Sequence, residues 1–127
     1  MFKMPEVMGM ASSMSTNAEQ RLAAVARNIA NADTPGYRAQ SVAPFHDSYR
    51  DSEGLALRTS HPGHLTAVSG HLTSARSAEA GGHMSPNGNN VSLEAQMVEA
   101  AAIRKDHDLA LSIYKTSLEI MRSSLGR

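Results

Sequence analysis

The stretch "NIANADTPGYRAQ", Asn28 to Gln40, decides how the chain is organised. It follows a run of small and apolar residues at helical spacing and consists almost wholly of helix-ending residues. Asn31 suits the left-handed conformation that closes a helix. Pro35 fixes its own φ and pushes Thr34 to an extended shape, and Gly36 suits the positive φ of a type II turn. Asp33 and Thr34 are residues that hydrogen-bond their own backbone, and Tyr37 offers a flat face to lay back on the helix. A catalytic loop needs a nucleophile beside a base, and this stretch holds no such pair. It reads as a rigid structural corner.

On the N-terminal side, Val7, Ala11, Met14, Ala18, Leu22, Val25 and Ile29 recur every three or four residues. That spacing predicts an amphipathic helix from about residue 8 to residue 30, roughly 35 Å long. Ser12, Ser13, Ser15, Thr16 and Asn17 lower its propensity, so its first turns are expected to depend on partners. Met1, Met4, Met8, Met10 and Met14 read as adaptable interface contacts rather than a copper-binding thioether cluster.

Beyond the corner, residues 32–90 are rich in Ser, Gly, His and Pro and poor in apolar periodicity. Short extended pieces are expected near Leu55–Thr59 and Leu65–Val68, and "SAEAGGHMSPNGNN", Ser77 to Asn90, reads as a flexible linker. His61 and His64 have a metal-like spacing but no Cys or carboxylate to match, so no metal site is expected.

The strongest periodicity begins at Val91. Leu93, Met97, Ala100, Arg104, His107, Leu111, Tyr114, Leu118, Met121 and Leu125 alternate spacings of four and three. This heptad predicts a helix of roughly 50 Å with one seam turned to a partner. Asn90 or Ser92 is the expected N-cap and Gly126 the stop; Arg104 and His107 sit on the seam where apolar residues belong.

These readings define a mainly α chain in three parts: an N-terminal coiled-coil helix (1–31), a corner with a short irregular, β-containing middle segment and linker (32–90), and a C-terminal coiled-coil helix (91–127). The terminal helices are expected to pair as an antiparallel coiled coil. One such hairpin leaves apolar stripe uncovered, which implies self-assembly through Leu22, Val25, Ile29, Leu93, Met97, Leu111, Tyr114, Leu118, Met121 and Leu125.

Composition narrows the alternatives. The 127 residues include two Phe, three Tyr and no Trp, which suits thin helix contacts better than a thick interior. A formal net charge of zero argues against a nucleic-acid footprint or a polybasic membrane patch. With no Cys, disulfides and thiolate metal sites are excluded. No run of apolar residues is long enough to span a bilayer. Pro5 and Glu6 interrupt the N-terminal apolar residues, so no ordinary cleaved signal is expected. An enzyme needs a cleft, and this chain lacks the core to build one.

Asn28, Ile29, Ala30, Asn31, Asp33, Thr34, Pro35, Gly36 and Tyr37 together resemble the N-terminal signature of the flagellar axial proteins, the rod, hook and hook-associated subunits. Within that family, "GNNVSLEAQM" (Gly88 to Met97), the Thr59–Leu65 segment and the short length are similar to the proximal rod subunits. The resemblance implies a structural subunit without catalytic residues or cofactors. It implies export, unfolded, by the flagellar type III apparatus and polymerisation into the rod of the basal body, which crosses the periplasm and transmits torque for motility. Terminal helices of such proteins pair as a coiled coil and are commonly disordered before assembly. Implied partners are further copies, other rod subunits, a FliE-type adaptor and the membrane-ring and export-gate proteins. Phe45 and Tyr49 in "FHDSY" have the form of the family's export-gate motif; the alternative is an anchor that packs the middle segment on the first helix. Another short axial rod subunit, or an independent coiled-coil adaptor, is the competing reading.

Overall fold

In a computed structural model the described residues are 4–53 and 77–126. Along the chain lie α1 (Met4–Ala30), β1 (Gln40–Val42), α2 (Phe45–Glu53), β2 (Ser77–Glu79) and α3 (Leu93–Ser124). The molecule is mainly helical, and its long terminal helices contact each other.

α1 starts four residues before the expected position. Its Ser and Thr residues are accommodated by back-bonding: Ser13 Oγ donates to Gly9 O at 3.0 Å and Thr16 Oγ1 to Ser12 O at 3.2 Å. This turns hydroxyls that compete with a helix into part of its ladder. α3 begins at the N-cap Ser92, whose hydroxyl accepts from Ala95 N at 3.3 Å, and ends just before Gly126, whose φ is +74°.

The helices meet over small and polar side chains. Ala18, Val25 and Ile103 form the apolar centre, with Ala100 packed against it. Ala11 and Ala24 on α1 and Ala110 and Ser117 on α3 are also buried. Beside them Arg21, itself buried, donates through Nη1 to Asp106 Oδ2 at 2.7 Å and through Nη2 to Glu99 Oε1. A guanidinium needs both carboxylates, so it fixes the rotation of α3 against α1 as well as their separation.

That rotation differs from the expected seam by one residue. Ile103, Ala110 and Ser117 are turned inward, not Arg104, Leu111 and Leu118. Leu93, Met97, Leu111, Tyr114 and Leu125 are exposed, and Leu118 and Met121 are half-buried. On α1, Val25 is buried as expected, whereas Leu22 and Ile29 are exposed. The physical reason is closeness of approach. α1 presents Ala and the polar Arg21 and Asn28, which fit the small side of α3 with Glu99, Asp106 and Gln96 better than the bulky side. The shift also eases the apparent misfit at Arg104, which is exposed at the edge of the helix contact rather than buried in it.

β1 and β2 form a two-stranded antiparallel sheet in the register Gln40–Glu79, Ser41–Ala78 and Val42–Ser77. Ala80 N donating to Ala39 O at 2.8 Å extends it by one residue. Ser77–Asn90 is therefore anchored rather than a free linker. α2 follows Pro44, whose carbonyl accepts from Asp47 N and Ser48 N at 3.1 and 3.2 Å. The extended pieces expected at Leu55–Thr59 and Leu65–Val68, and His61 and His64, lie outside the described residues.

Candidate functional site

Three asparagines knit the corner. Asn28, 1% exposed near the end of α1, donates through Nδ2 to Gln40 O at 2.8 Å and to Gln96 Oε1 at 2.9 Å. Its Oδ1 accepts from Gln40 N at 3.0 Å and from the Tyr37 hydroxyl at 3.2 Å. All four positions of the amide are used, so one side chain ties α1 to the corner, β1 and α3.

Asn89, 2% exposed, grips the corner from the other side. Its Nδ2 lies 3.0, 2.8 and 2.9 Å from the carbonyls of Asn31, Ala32 and Thr34, and its Oδ1 accepts from Val91 N at 2.7 Å. Two N–H groups serve three acceptors, so one is shared. These carbonyls follow the helix end, where turn bonds from Thr34 N to Asn31 O and from Tyr37 N to Thr34 O replace the regular helix ladder. Asn90 then bridges the sheet: Oδ1 accepts from Ala39 N at 2.6 Å and Nδ2 donates to Ala80 O at 2.9 Å.

Backbone shape completes the fit. Tyr37 N donates to Thr34 O at 3.3 Å, and Gly36 between them has φ +73°, as the type II turn requires. Gly36 N donates to Asn87 O at 3.0 Å. Opposite it, Gly88 has φ +80°, and a Cβ there would stand 3.4 Å from Gly36 Cα. Two glycines thus allow two turns to approach face to face. Asn31 does not take the expected left-handed conformation, since no described non-glycine residue has positive φ. It instead donates from Nδ2 to Arg27 O at 2.8 Å and receives the Thr34 hydroxyl at 3.3 Å.

The expected motif residues divide between two surfaces. Asn28, Asn31, Thr34, Gly36 and Tyr37 enter the knit, while Ile29, Ala30, Asp33 and Pro35 are exposed on its outside. Phe45 and Tyr49 lie on α2, half-buried, with ring centroids 5.7 Å apart. Asn90, expected as a possible N-cap, bridges the sheet instead, and the roles of Gln40, Asn89, Gln96 and the Arg21 pair with Glu99 and Asp106 had no counterpart among the expectations. Asn87, Asn89 and Asn90 clustered beside a helix start were the available signal.

Between α1 and α3 runs an open groove of about 320 Å³ lined by Ala18, Leu22, Ile103, Arg104 and His107 among others. Among the described residues no three His, Asp or Glu side chains are grouped to hold a metal ion, and no helix is long and apolar enough to cross a membrane. Large apolar side chains of α3 stand exposed, Met97 61% and Leu125 82%.

Residues 10–38, the latter part of α1 and the corner, match the family model "Flagella basal body rod protein". The chain is also 30% identical, over 109 residues, to the flagellar basal body rod protein FlgB of Agrobacterium fabrum, an alignment covering 81% of this chain and 80% of that one. The Asn28 half of the corner thus lies inside the segment that the family model recognises, Asn89 and Asn90 lie outside it, and the alignment extends the likeness over most of the chain. This chain belongs to the FlgB family of flagellar basal body rod proteins, structural components of the basal body.

Proposed function

We propose that this chain is a proximal rod subunit, not an enzyme, which polymerises through its terminal helices into the periplasm-crossing shaft that transmits torque for motility. The observation that carries this reading is the division of α3: small and polar residues face α1, and the bulky Leu93, Met97, Leu111 and Leu125 remain exposed. Apolar surface of that extent on a thin molecule calls for protein neighbours. The terminal helices form an antiparallel coiled coil. In support, Arg21 meets Asp106 and Glu99 while Asn28, further along α1, meets Gln96, earlier on α3.

In this reading residues 1–31 and 91–127 are the assembling helices, and residues 32–90 are the corner and middle segment that hold them in register. Neighbours are other copies, other rod subunits, a FliE-type adaptor and the membrane-ring and export-gate end of the basal body. The chain reaches the rod unfolded through the flagellar type III apparatus. Phe45 and Tyr49 are available to the gate in the unfolded chain and fold away into α2 afterwards. Deleting the chain tests the reading. A strain without it should secrete neither hook nor filament and should show basal bodies lacking a rod, with rescue by the wild-type chain. Normal motility in the deletion strain would rule it out.

A further inference from the structure

Asn87–Gly88 is the sole Asn-Gly or Asp-Gly pair in the sequence, and it sits at the point where the corner closes. Glycine after asparagine leaves the main-chain nitrogen unhindered for attack on the side-chain amide. We propose that Asn87–Gly88 is a self-modification site that is open in the unfolded chain and shut off by closure of the corner. In the reaction the Gly88 nitrogen attacks Asn87 Cγ, the amide nitrogen leaves as ammonia, and a five-membered succinimide forms. Water then opens the ring at either carbonyl. One product is aspartate; the other is isoaspartate, in which the main chain runs through Cβ and Cγ. No electrons are transferred, and water is the one co-reactant.

The folded geometry restrains both groups that must move together for that attack. The nucleophile is held, because Gly88 N donates to Ser85 O at 2.9 Å. The electrophile is held too, because Asn87 Oδ1 accepts from Asn89 N at 3.0 Å. The peptide between them is pinned, since Asn87 O accepts from Gly36 N at 3.0 Å and Gly88 has φ +80° against the Gly36 backbone. Asn87 itself is exposed, so water reaches the site and protection comes from these bonds alone.

Isoaspartate at position 87 lengthens the main chain by one methylene within the turn that delivers Asn89 to the carbonyls of Asn31, Ala32 and Thr34. Those contacts span only 2.8 to 3.0 Å and tolerate no such insertion. A chain modified before folding therefore cannot close its corner. Its exclusion from a rod rests on the proposed function; the chemistry and its effect on folding do not.

The experiment incubates the full chain in native buffer and in the same buffer with urea, and follows replacement of ammonia by water at Asn87 by mass spectrometry. Conversion should be slower in native buffer by at least roughly tenfold, the ratio set by local opening of the corner. The variant Asn28→Ala, which unties the corner without touching the reacting pair, should bring the native rate towards the urea rate. Equal rates for the wild-type chain in the two buffers would overturn the protection. Isoaspartate chains separated from the urea sample and returned to native buffer should then melt lower than an Asn87→Asp chain, which carries the same charge without the added methylene. Equal melting would overturn the claim that the lesion disables the corner.

Discussion

The two sides of α3 are made of different material. Towards α1 the helix presents Gln96, Glu99, Ala100, Ile103, Asp106, Ala110 and Ser117; left exposed are Leu93, Met97, Val98, Leu109, Leu111, Ile120 and Leu125. In a self-sufficient helical hairpin the bulky residues would face inward, because apolar burial is the dominant favourable term. Here the helix pair is held by directional contacts, the Arg21 ion pairs and the asparagine knit, and much apolar area is left exposed. Polar contacts add little net stability but specify geometry, whereas apolar contacts add stability with little direction. Such a chain has a defined shape before it has a secure one.

The comparison is broken most severely at the inward side. Asn28→Ala removes four hydrogen bonds and orphans groups on β1, Tyr37 and Gln96. A cost of about 3 kcal/mol is expected for those unmet partners. Thermal unfolding followed by circular dichroism should show a midpoint lowered by about 10 °C. Gly36→Val comes next. Nothing lies within 4 Å of a Cβ at that position, so the penalty is purely the positive φ, about 1–3 kcal/mol. Denaturant titration should show a lower midpoint with an unchanged slope.

Ser117→Asp sharpens the comparison, because a heptad drawn through Leu118 places Ser117 just off the seam. Ser117 is in fact buried and its hydroxyl donates to Ile113 O at 2.8 Å. An aspartate there is expected to lower stability by about 1–3 kcal/mol, since a carboxylate must be desolvated against α1. Lys105→Asp, on the exposed side, should change the midpoint far less.

Much of this architecture could be read from the residues, and the remainder had definite physical reasons to be hidden. Heptad spacing marks a helix wherever bulky residues recur, so both terminal helices were visible and their ends close to right. The same spacing cannot say which side a neighbour will cover. Bulk identified Leu111 and Leu118, while closeness of approach selected Ala110 and Ser117. Pro35 and Gly36 announced a turn because their φ preferences are local. The role of Asn89 was hidden, since an asparagine in a Ser- and Gly-rich stretch has the same composition whether it floats in solvent or fills a buried socket. Strands of three residues have too few side chains for alternation to register, so β1 and β2 passed as irregular chain.

The outward side supplies the most direct test. Met97 is exposed in the first turns of α3, where an acidic residue is well tolerated by the helix dipole. Met97→Asp should therefore leave the unfolding free energy of the isolated chain within about 0.5 kcal/mol of wild type. In cells the same variant should be made and exported yet be absent from purified basal bodies. Measuring its incorporation beside its unchanged monomer stability separates assembly from folding. Loss of incorporation with stability intact is the predicted result; wild-type incorporation of Met97→Asp would contradict the assignment of the outward side to assembly.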